Sequence, residues 1–407
     1  MSPSQDPRRM AATLVAGVVG GAMLPEVPLP PADPADRARA QRLALATLRN
    51  FARTQAVLAP LMAREPAPLV MAALRVATVE LLELGEAPHG VVSATVNGLK
   101  ADRQTARAAG LANAVLRRVA GVEGWADLPV QPLPGWLRRR LRGLWGEEVV
   151  KAIEAAHHRT PPLDLSLKPG KTAPEGAEPV ASSWRLPAGV QVSALPGFAE
   201  GDWWIQDAAA ALPATLLAVQ PGETVLDLCA APGGKTMQLA ARGAEVTALD
   251  LSAPRLKRLS ENLARTGLSA RIVTADALDW SPEAPVDAVL LDAPCSATGT
   301  IRRHPDLPFV RKPADVEALT ALQGQLLDRA LGFLRPGGRL VYCTCSLLPE
   351  EGEAQVSAAL QRHPGLTAGT PALPLGRATP EGGWRLRPDD HEGGIDGFYM
   401  ALLRQRG

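Results

Sequence analysis

Two apolar runs each end in a cysteine. Val286-Asp287-Ala288-Val289-Leu290-Leu291-Asp292 leads into Ala293-Pro294-Cys295-Ser296, and Leu340-Val341-Tyr342-Cys343-Thr344 leads into Cys345-Ser346. Both runs read as buried strands, so each places a thiol just past a strand end. A thiolate is a strong nucleophile near neutral pH, and one reaction has work for two of them. Carbon 5 of cytosine is a poor nucleophile. A thiolate adding to carbon 6 pushes electron density onto carbon 5, which then attacks an electrophilic methyl group. A base must afterwards take the carbon 5 proton so that the thiol can leave. One cysteine would attack and the other assist release, and residue types alone leave open which does which. Cys343 shares the side of the strand that Cys345 occupies and reads as packing.

The methyl donor needs a pocket, and a third stretch supplies one. Asp227-Leu228-Cys229-Ala230-Ala231-Pro232-Gly233-Gly234-Lys235-Thr236 closes a strand and opens a helix. Small residues at such a turn let the backbone approach a ligand closely. Asp250 ends the next strand and is placed for ribose hydroxyls, Asp276 follows the third and suits an adenine amino group, and Asp292 ends the fourth. Acidic or Gly-rich strand ends in succession lay a nucleoside along the carboxyl edge of a parallel sheet. S-adenosylmethionine meets both needs, as a nucleoside with a transferable methyl. A phosphate-binding loop would need Gly where Cys229 stands, and a dinucleotide G-x-G-x-x-G is missing. Cys229 reads as a backbone contact only. A core cysteine explains a single thiol on an apolar strand, but two beside a ligand edge argue for a site.

The elements that must position these residues follow from the hydrophobic rhythm. From Gln206 onward strands and helices alternate, as in a parallel α/β sheet. Strands are expected at Thr224–Leu228, Glu245–Leu249, Ala270–Thr274, Val286–Leu291 and Arg339–Tyr342, and helices at Lys235–Arg242, Ala253–Thr266, Pro313–Leu334 and Glu350–Gln361. The first part reads as all-helical, over Ala38–Arg64, Pro66–Glu83, Val91–Lys100 and Thr105–Val119. A Pro-rich boundary at Pro129, Pro132 and Pro134 precedes Trp136-Leu137-Arg138-Arg139-Arg140-Leu141-Arg142 and a helix running to His157. Short strand-like runs between Pro161 and Gly201 suggest a small α+β piece. The expected division is 1–128, a helical domain; 129–200, a linker and small subdomain; and 201–407, the catalytic domain.

Bulk properties narrow the class. With 407 residues the chain is long enough for two or three domains of roughly 100–200 residues. A net charge of +1 gives no global sign of nucleic acid, so any footprint is a local patch. Arg138 to Arg142 is one candidate for phosphate contacts. Four cysteines in such a chain form no disulfide framework, and Cys343-Thr-Cys345 lacks the second pair of a zinc site. His157 and His158 have no partners that suggest a metal. Arg8-Arg9 before the apolar run Met10–Leu24 superficially resembles a secretory signal, but the run is shorter than the about 20 residues of a membrane span. A buried first helix and a cytoplasmic, monomeric protein are expected, with no metal and no membrane.

The combined motifs resemble a known family. Cys229 to Thr236, Asp292-Ala293-Pro294-Cys295, and Thr344-Cys345-Ser346 with Pro349-Glu350-Glu351 resemble the Sun/RsmB/Nop RNA (cytosine-5)-methyltransferases. So do Trp204-Ile205-Gln206-Asp207, Gly299-Thr300-Ile301-Arg302-Arg303-His304-Pro305 and Asp396-Gly397-Phe398-Tyr399. Gly110-Leu111-Ala112-Asn113-Ala114-Val115-Leu116-Arg117-Arg118 resembles the NusB-like domain that some bacterial members carry in front. The resemblance implies a multidomain protein, an all-α NusB-like N-terminal domain plus an α/β class I (Rossmann-like) S-adenosylmethionine-dependent methyltransferase domain. It implies small-subunit ribosomal RNA, most simply 16S, as substrate. It assigns attack to Cys345 and product release to Cys295. Cofactor contacts then fall on Cys229, Ala230, Ala231, Pro232, Gly233, Gly234, Lys235, Asp250, Asp276 and Asp292, with Asp292 also meeting the target base. Two departures stand out. Ala297 replaces the commoner Gly, and Pro162 to Lys168 lacks the family's Arg-Val-Asn-like run. A non-catalytic ribosome assembly factor that keeps the methyltransferase fold is the alternative, and a DNA cytosine methyltransferase a third; paired cysteines with Asp292 speak against the assembly factor.

Overall fold

The computed structural model describes residues 6–369 and 372–405. Residues 1–5, 370–371 and 406–407 of the expected first and last domains therefore lie outside the described residues. The chain forms two compact units. One runs to Arg159 and also includes Arg303–Arg311; the other comprises Thr160–Arg302 and the chain from Lys312 onward.

The first unit is helical: α1 (Pro7–Val19), α2 (Pro34–Arg49), α3 (Phe51–Leu58), α4 (Pro68–Leu82), α5 (Pro88–Lys100), α6 (Ala109–Val119), α7 (Gly135–Trp145) and α8 (Glu147–His158). The apolar run after Arg9 folds as α1, whose Met10, Leu14, Val15 and Val18 are buried, and Asp6 caps it by accepting from the Arg8 N–H. The single helix expected over Ala38–Arg64 is broken at Asn50, whose side-chain amide donates to Ala46 O and competes with the helical ladder. Likewise Gly146, at φ 84, separates α7 from α8. Helix α5 begins at Pro88, three residues before the expected start at Val91, because proline's fixed φ suits a first helical position.

The second unit holds two sheets. Strands β1 (Leu163–Leu167), β2 (Glu178–Val180), β3 (Ser183–Leu186) and β4 (Trp203–Ile205) form a small antiparallel sheet ordered β2-β3-β1-β4. The main sheet contains β5 (Thr224–Leu228), β6 (Glu245–Asp250), β7 (Arg271–Thr274), β8 (Val286–Asp292), β9 (Leu334–Thr344), β10 (Leu366–Gly369), β11 (Arg377–Ala378), β12 (Trp384–Leu386) and β13 (Phe398–Gln405). Its order is β11-β12-β13-β9-β8-β5-β6-β7, with β10 also paired to β13. From β9 through β7 the strands are parallel; β13 joins antiparallel.

Helices α9 (Ala208–Leu217), α10 (Gly234–Ala241), α11 (Ala253–Thr266), α13 (Pro313–Leu331) and α14 (Glu353–Arg362) belong to this unit, while the short α12 (Leu307–Val310) belongs to the first. Both faces of the central strands are covered. Leu226, Leu228, Val289, Leu291, Leu340 and Tyr342 enter one core with residues of α13 and α14, and Val225, Ala288, Leu290, Val341 and Cys343 enter another with α9. Strands buried on both faces read as continuous apolar runs. From β5 the chain goes to β6 on one side and later to β8 on the other, so a crevice opens at the carboxyl ends of β5 and β8. Among the described residues no helix is long and apolar enough to cross a membrane.

Candidate active site

Adjacent strands β8 and β9 deliver the two cysteines to one place. In register Asp292 pairs with Cys343, and each chain then leaves the sheet. Ala293 N–H donates to Cys343 O and Gly299 N–H to Cys345 O, which ties the two exits together. Cys295 Sγ and Cys345 Sγ lie 3.4 Å apart. All four cysteines are free thiols. The hydrogen bond with Cys345, burial and the nearby Glu351 carboxylate push the Cys295 thiol well above its ordinary range.

Asp292, at the tip of β8, is shared by two further side chains. Lys235 Nζ donates to its Oδ2 at 2.7 Å, and Cys343 Sγ donates to its Oδ1 at 3.5 Å. Cys343 is therefore more than packing: burial and Asp292 hold it as a thiol, so that it can donate. Burial opposes the charge on Lys235, but Asp292 and its neighbours outweigh that and raise its pKa.

The turn from β5 into α10 has the shape expected of a ligand cradle. Cys229 stands at φ 59 and Gly233 at φ 103, both left-handed, and α10 starts at Gly234 with its first N–H groups unpaired in the helix. Ala230, Ala231 and Lys235 are buried, while Pro232 is exposed. Burial and the carboxylates of Asp292 and Asp250 push Cys229 up to about 12, which fits a backbone role. Asp250 is buried at the end of β6, where it accepts from Ala231 N–H and Ser252 N–H. Asp276 is exposed in the turn after β7 and accepts from Leu278 N–H.

Asp227 was missed by the motif reading. It is fully buried, accepts from Thr236 Oγ1 at 2.5 Å, and leaves its Oδ1 without a hydrogen-bond partner among the described residues. An orphaned buried acceptor beneath a turn of small residues fits a nucleoside cofactor with its own donors. The signal in the sequence was an acidic residue inside an apolar strand.

Other candidates sort differently. Arg138 is engaged with Glu147 and Glu154, and Leu137 and Leu141 face the core, which leaves Arg139, Arg140 and Arg142 exposed on α7. His304 lies in the segment assigned to the first unit. Ala297 sits at φ 58, a left-handed backbone conformation that favours glycine. Among the described residues no cluster of three or more His, Cys, Asp or Glu could hold a metal ion.

Similarity to known proteins places the chain in a family. The profile described as 16S rRNA methyltransferase RsmB/F matches residues 214–404, and the NusB family profile matches 6–121. A ribosomal RNA small subunit methyltransferase B from Xanthomonas campestris pv. campestris is 40% identical, over 91% of this chain and 89% of its own. The chain belongs to the ribosomal RNA small subunit methyltransferase B family. A Pseudomonas putida member is 38% identical over 98% of both chains. A solved methyltransferase homolog protein from Pyrococcus horikoshii, 28% identical, superposes with a TM-score of 0.57 over 66% of this chain and 93% of that one. As a member of this family the chain is an RNA methyltransferase, with a NusB-like helical domain and a class I methyltransferase domain, as expected from its motifs.

Proposed function

We propose that the chain methylates carbon 5 of cytosine in 16S ribosomal RNA, using S-adenosylmethionine, through a covalent bond between Cys345 and carbon 6. The observation that carries this reading is the 3.4 Å separation of two thiol sulfurs beside Asp292. A binding-only assembly factor has no use for that arrangement. When bound at Cys229–Lys235, Asp250, Asp276 and Asp292, S-adenosylmethionine supplies an electrophilic methyl group.

Cys345, as its thiolate, adds to carbon 6, and the carbon 5–carbon 6 π pair moves onto carbon 5, which would take the sulfonium methyl and leave S-adenosylhomocysteine. Asp292, held in place by Lys235 and Cys343, presents a carboxylate edge to the amino group of the target base. Cys295 acts last. Its proton is held chiefly by its bond with Cys345, and that influence disappears once Cys345 is bonded to carbon. Cys295 then becomes available to assist removal of the carbon 5 proton, and Cys345 leaves.

Residues 1–128, within the helical unit, bind the RNA, and the second unit, Thr160–Arg302 with the chain from Lys312 onward, catalyses, in a cytoplasmic monomer. The test is a map of 5-methylcytosine in 16S ribosomal RNA from a deletion strain. One site should vanish and return with the intact gene; an unchanged map contradicts the proposal.

A further inference from the structure

A carboxylate outside the reacting pair joins the two cysteine loops. Glu351 lies in the short turn Pro349–Glu351 and is fully buried. Its Oε1 accepts from the Ser296 N–H at 2.8 Å and from Gln323 Nε2 at 3.1 Å. Its Oε2 accepts from Ser296 Oγ and Ser346 Oγ, both at 2.5 Å. Ser296 is the residue after Cys295, and Ser346 the residue after Cys345. One carboxylate thus holds the neighbour of each reactive residue, and four donors fill the four acceptor directions that a carboxylate offers.

The surroundings fix Glu351 in turn. Tyr342 Oη and Thr344 Oγ1 donate to its carbonyl oxygen, and Gln323 Nε2 also donates to Pro294 O. Thr298 Oγ1 accepts from Leu347 N–H and lies 3.2 Å from Ser346 Oγ, which adds a second link between the loops. A net of this kind keeps its geometry because every buried polar group in it would lose a partner if one loop slid.

We propose that Glu351 is a positioning residue that sets the separation of the Cys295 and Cys345 sulfurs. Insofar as it concerns catalysis, this rests on the covalent reading above. Two consequences follow. Without the carboxylate the loops lose their common anchor, and a displacement of about 1 Å at reacting groups costs up to about 100-fold in rate. Its negative charge also helps keep the proton on Cys295, so the charge and the shape of Glu351 have separable effects.

Two variants of the full chain test this, Glu351→Ala and Glu351→Gln. The amide of Gln keeps the shape, and the serine hydroxyls can turn to accept from it. The first readout needs no RNA: diamide takes two protons and two electrons from paired thiols, leaving a disulfide and its own hydrazine. Corrected for the thiolate fraction at the assay pH, wild type and Glu351→Gln should form the Cys295–Cys345 disulfide at similar rates, with Glu351→Ala slower by at least about tenfold. The second readout is the pH profile of product release, in which the limb that follows Cys295 ionisation should move to lower pH in Glu351→Gln.

Unchanged disulfide formation in Glu351→Ala overturns the proposal. If that variant fails to fold, Ser346→Ala, which releases the Cys345 loop from the carboxylate, should slow disulfide formation in its place, and an unchanged rate there overturns the proposal. The covalent reading fails separately, when Cys295→Ala accumulates no RNA adduct, and the diamide measurement still reports on sulfur spacing in that case.

Discussion

Lys235 Nζ donates to Asp292 Oδ2 at 2.7 Å, joining the first turn of α10 to the tip of β8. The bond spans the crevice between β5 and β8, so one ion pair links the cofactor turn to the strand that carries the Pro-Cys loop. Lys235→Met should therefore impair catalysis more than folding. Methyl transfer should fall by about 100-fold in kcat/KM, as expected when a reacting group is mispositioned. Urea unfolding should show a loss of only about 1–3 kcal/mol, since Asp292 is partly exposed and regains water. Equal rates in the two proteins would remove Asp292 orientation from the account.

Asp250→Ala tests the cofactor assignment. A hydrogen bond to a charged acceptor contributes about 1.5–3 kcal/mol, so S-adenosylmethionine should bind roughly 10- to 100-fold more weakly by calorimetry. Unaltered affinity would mean that the ribose lies elsewhere.

The fold was legible where the residues carry periodic or motif information. Thr224–Leu228 and Ala253–Thr266 were read with their observed bounds, and the two cysteines were placed at neighbouring strand ends because buried parallel strands leave unbroken apolar runs. Helix α9 escaped notice because Ala208–Leu217 is apolar on all sides, with no face to give a period, and contains Pro213. The pairing of β13 with β9 depends on partners far apart along the chain, from Tyr399 with Thr344 to Arg404 with Arg339. So does the packing of Phe309 against Phe51, with ring centroids 4.9 Å apart, which puts Arg303–Arg311 with the helical unit. Neither the hold of Cys343 on Asp292 nor the Glu351 clamp follows from local sequence, because hydrogen-bond partners 28 to 55 residues apart are set by topology.

Asp227 predicts a pH effect on stability. Burial pushes its carboxyl up to about 7, above the unfolded value. The native state therefore binds the extra proton between about pH 4 and 7, and stability should fall as pH rises through that window. The effect is on the order of 4 kcal/mol at about 1.36 kcal/mol per pKa unit. Asp227→Asn, which cannot ionise, should flatten this slope in urea titrations of the cofactor-free protein. An identical slope in both proteins would contradict the assignment.

Ala297 holds a left-handed backbone at φ 58, a conformation that costs a residue with a Cβ about 1–2 kcal/mol. Glycine removes that strain but orders more backbone on folding, so Ala297→Gly should stabilise the protein by about 0.5–1 kcal/mol. Chemical denaturation measures it, and a destabilised variant would show that the alanine side chain contributes packing.

The central claim is the division of labour between Cys345 and Cys295, and a denaturing gel tests it most directly. Each variant is incubated with substrate RNA and S-adenosylmethionine. The target base must leave its stack at a cost of a few kcal/mol, so a loop or single-stranded RNA is the appropriate substrate. Cys295→Ala should attack, methylate and release slowly, giving a denaturant-resistant protein–RNA band. Cys345→Ala and the double variant should give no band and no methyl transfer. A band from Cys345→Ala with none from Cys295→Ala would contradict the account and reverse the roles of the two sulfurs.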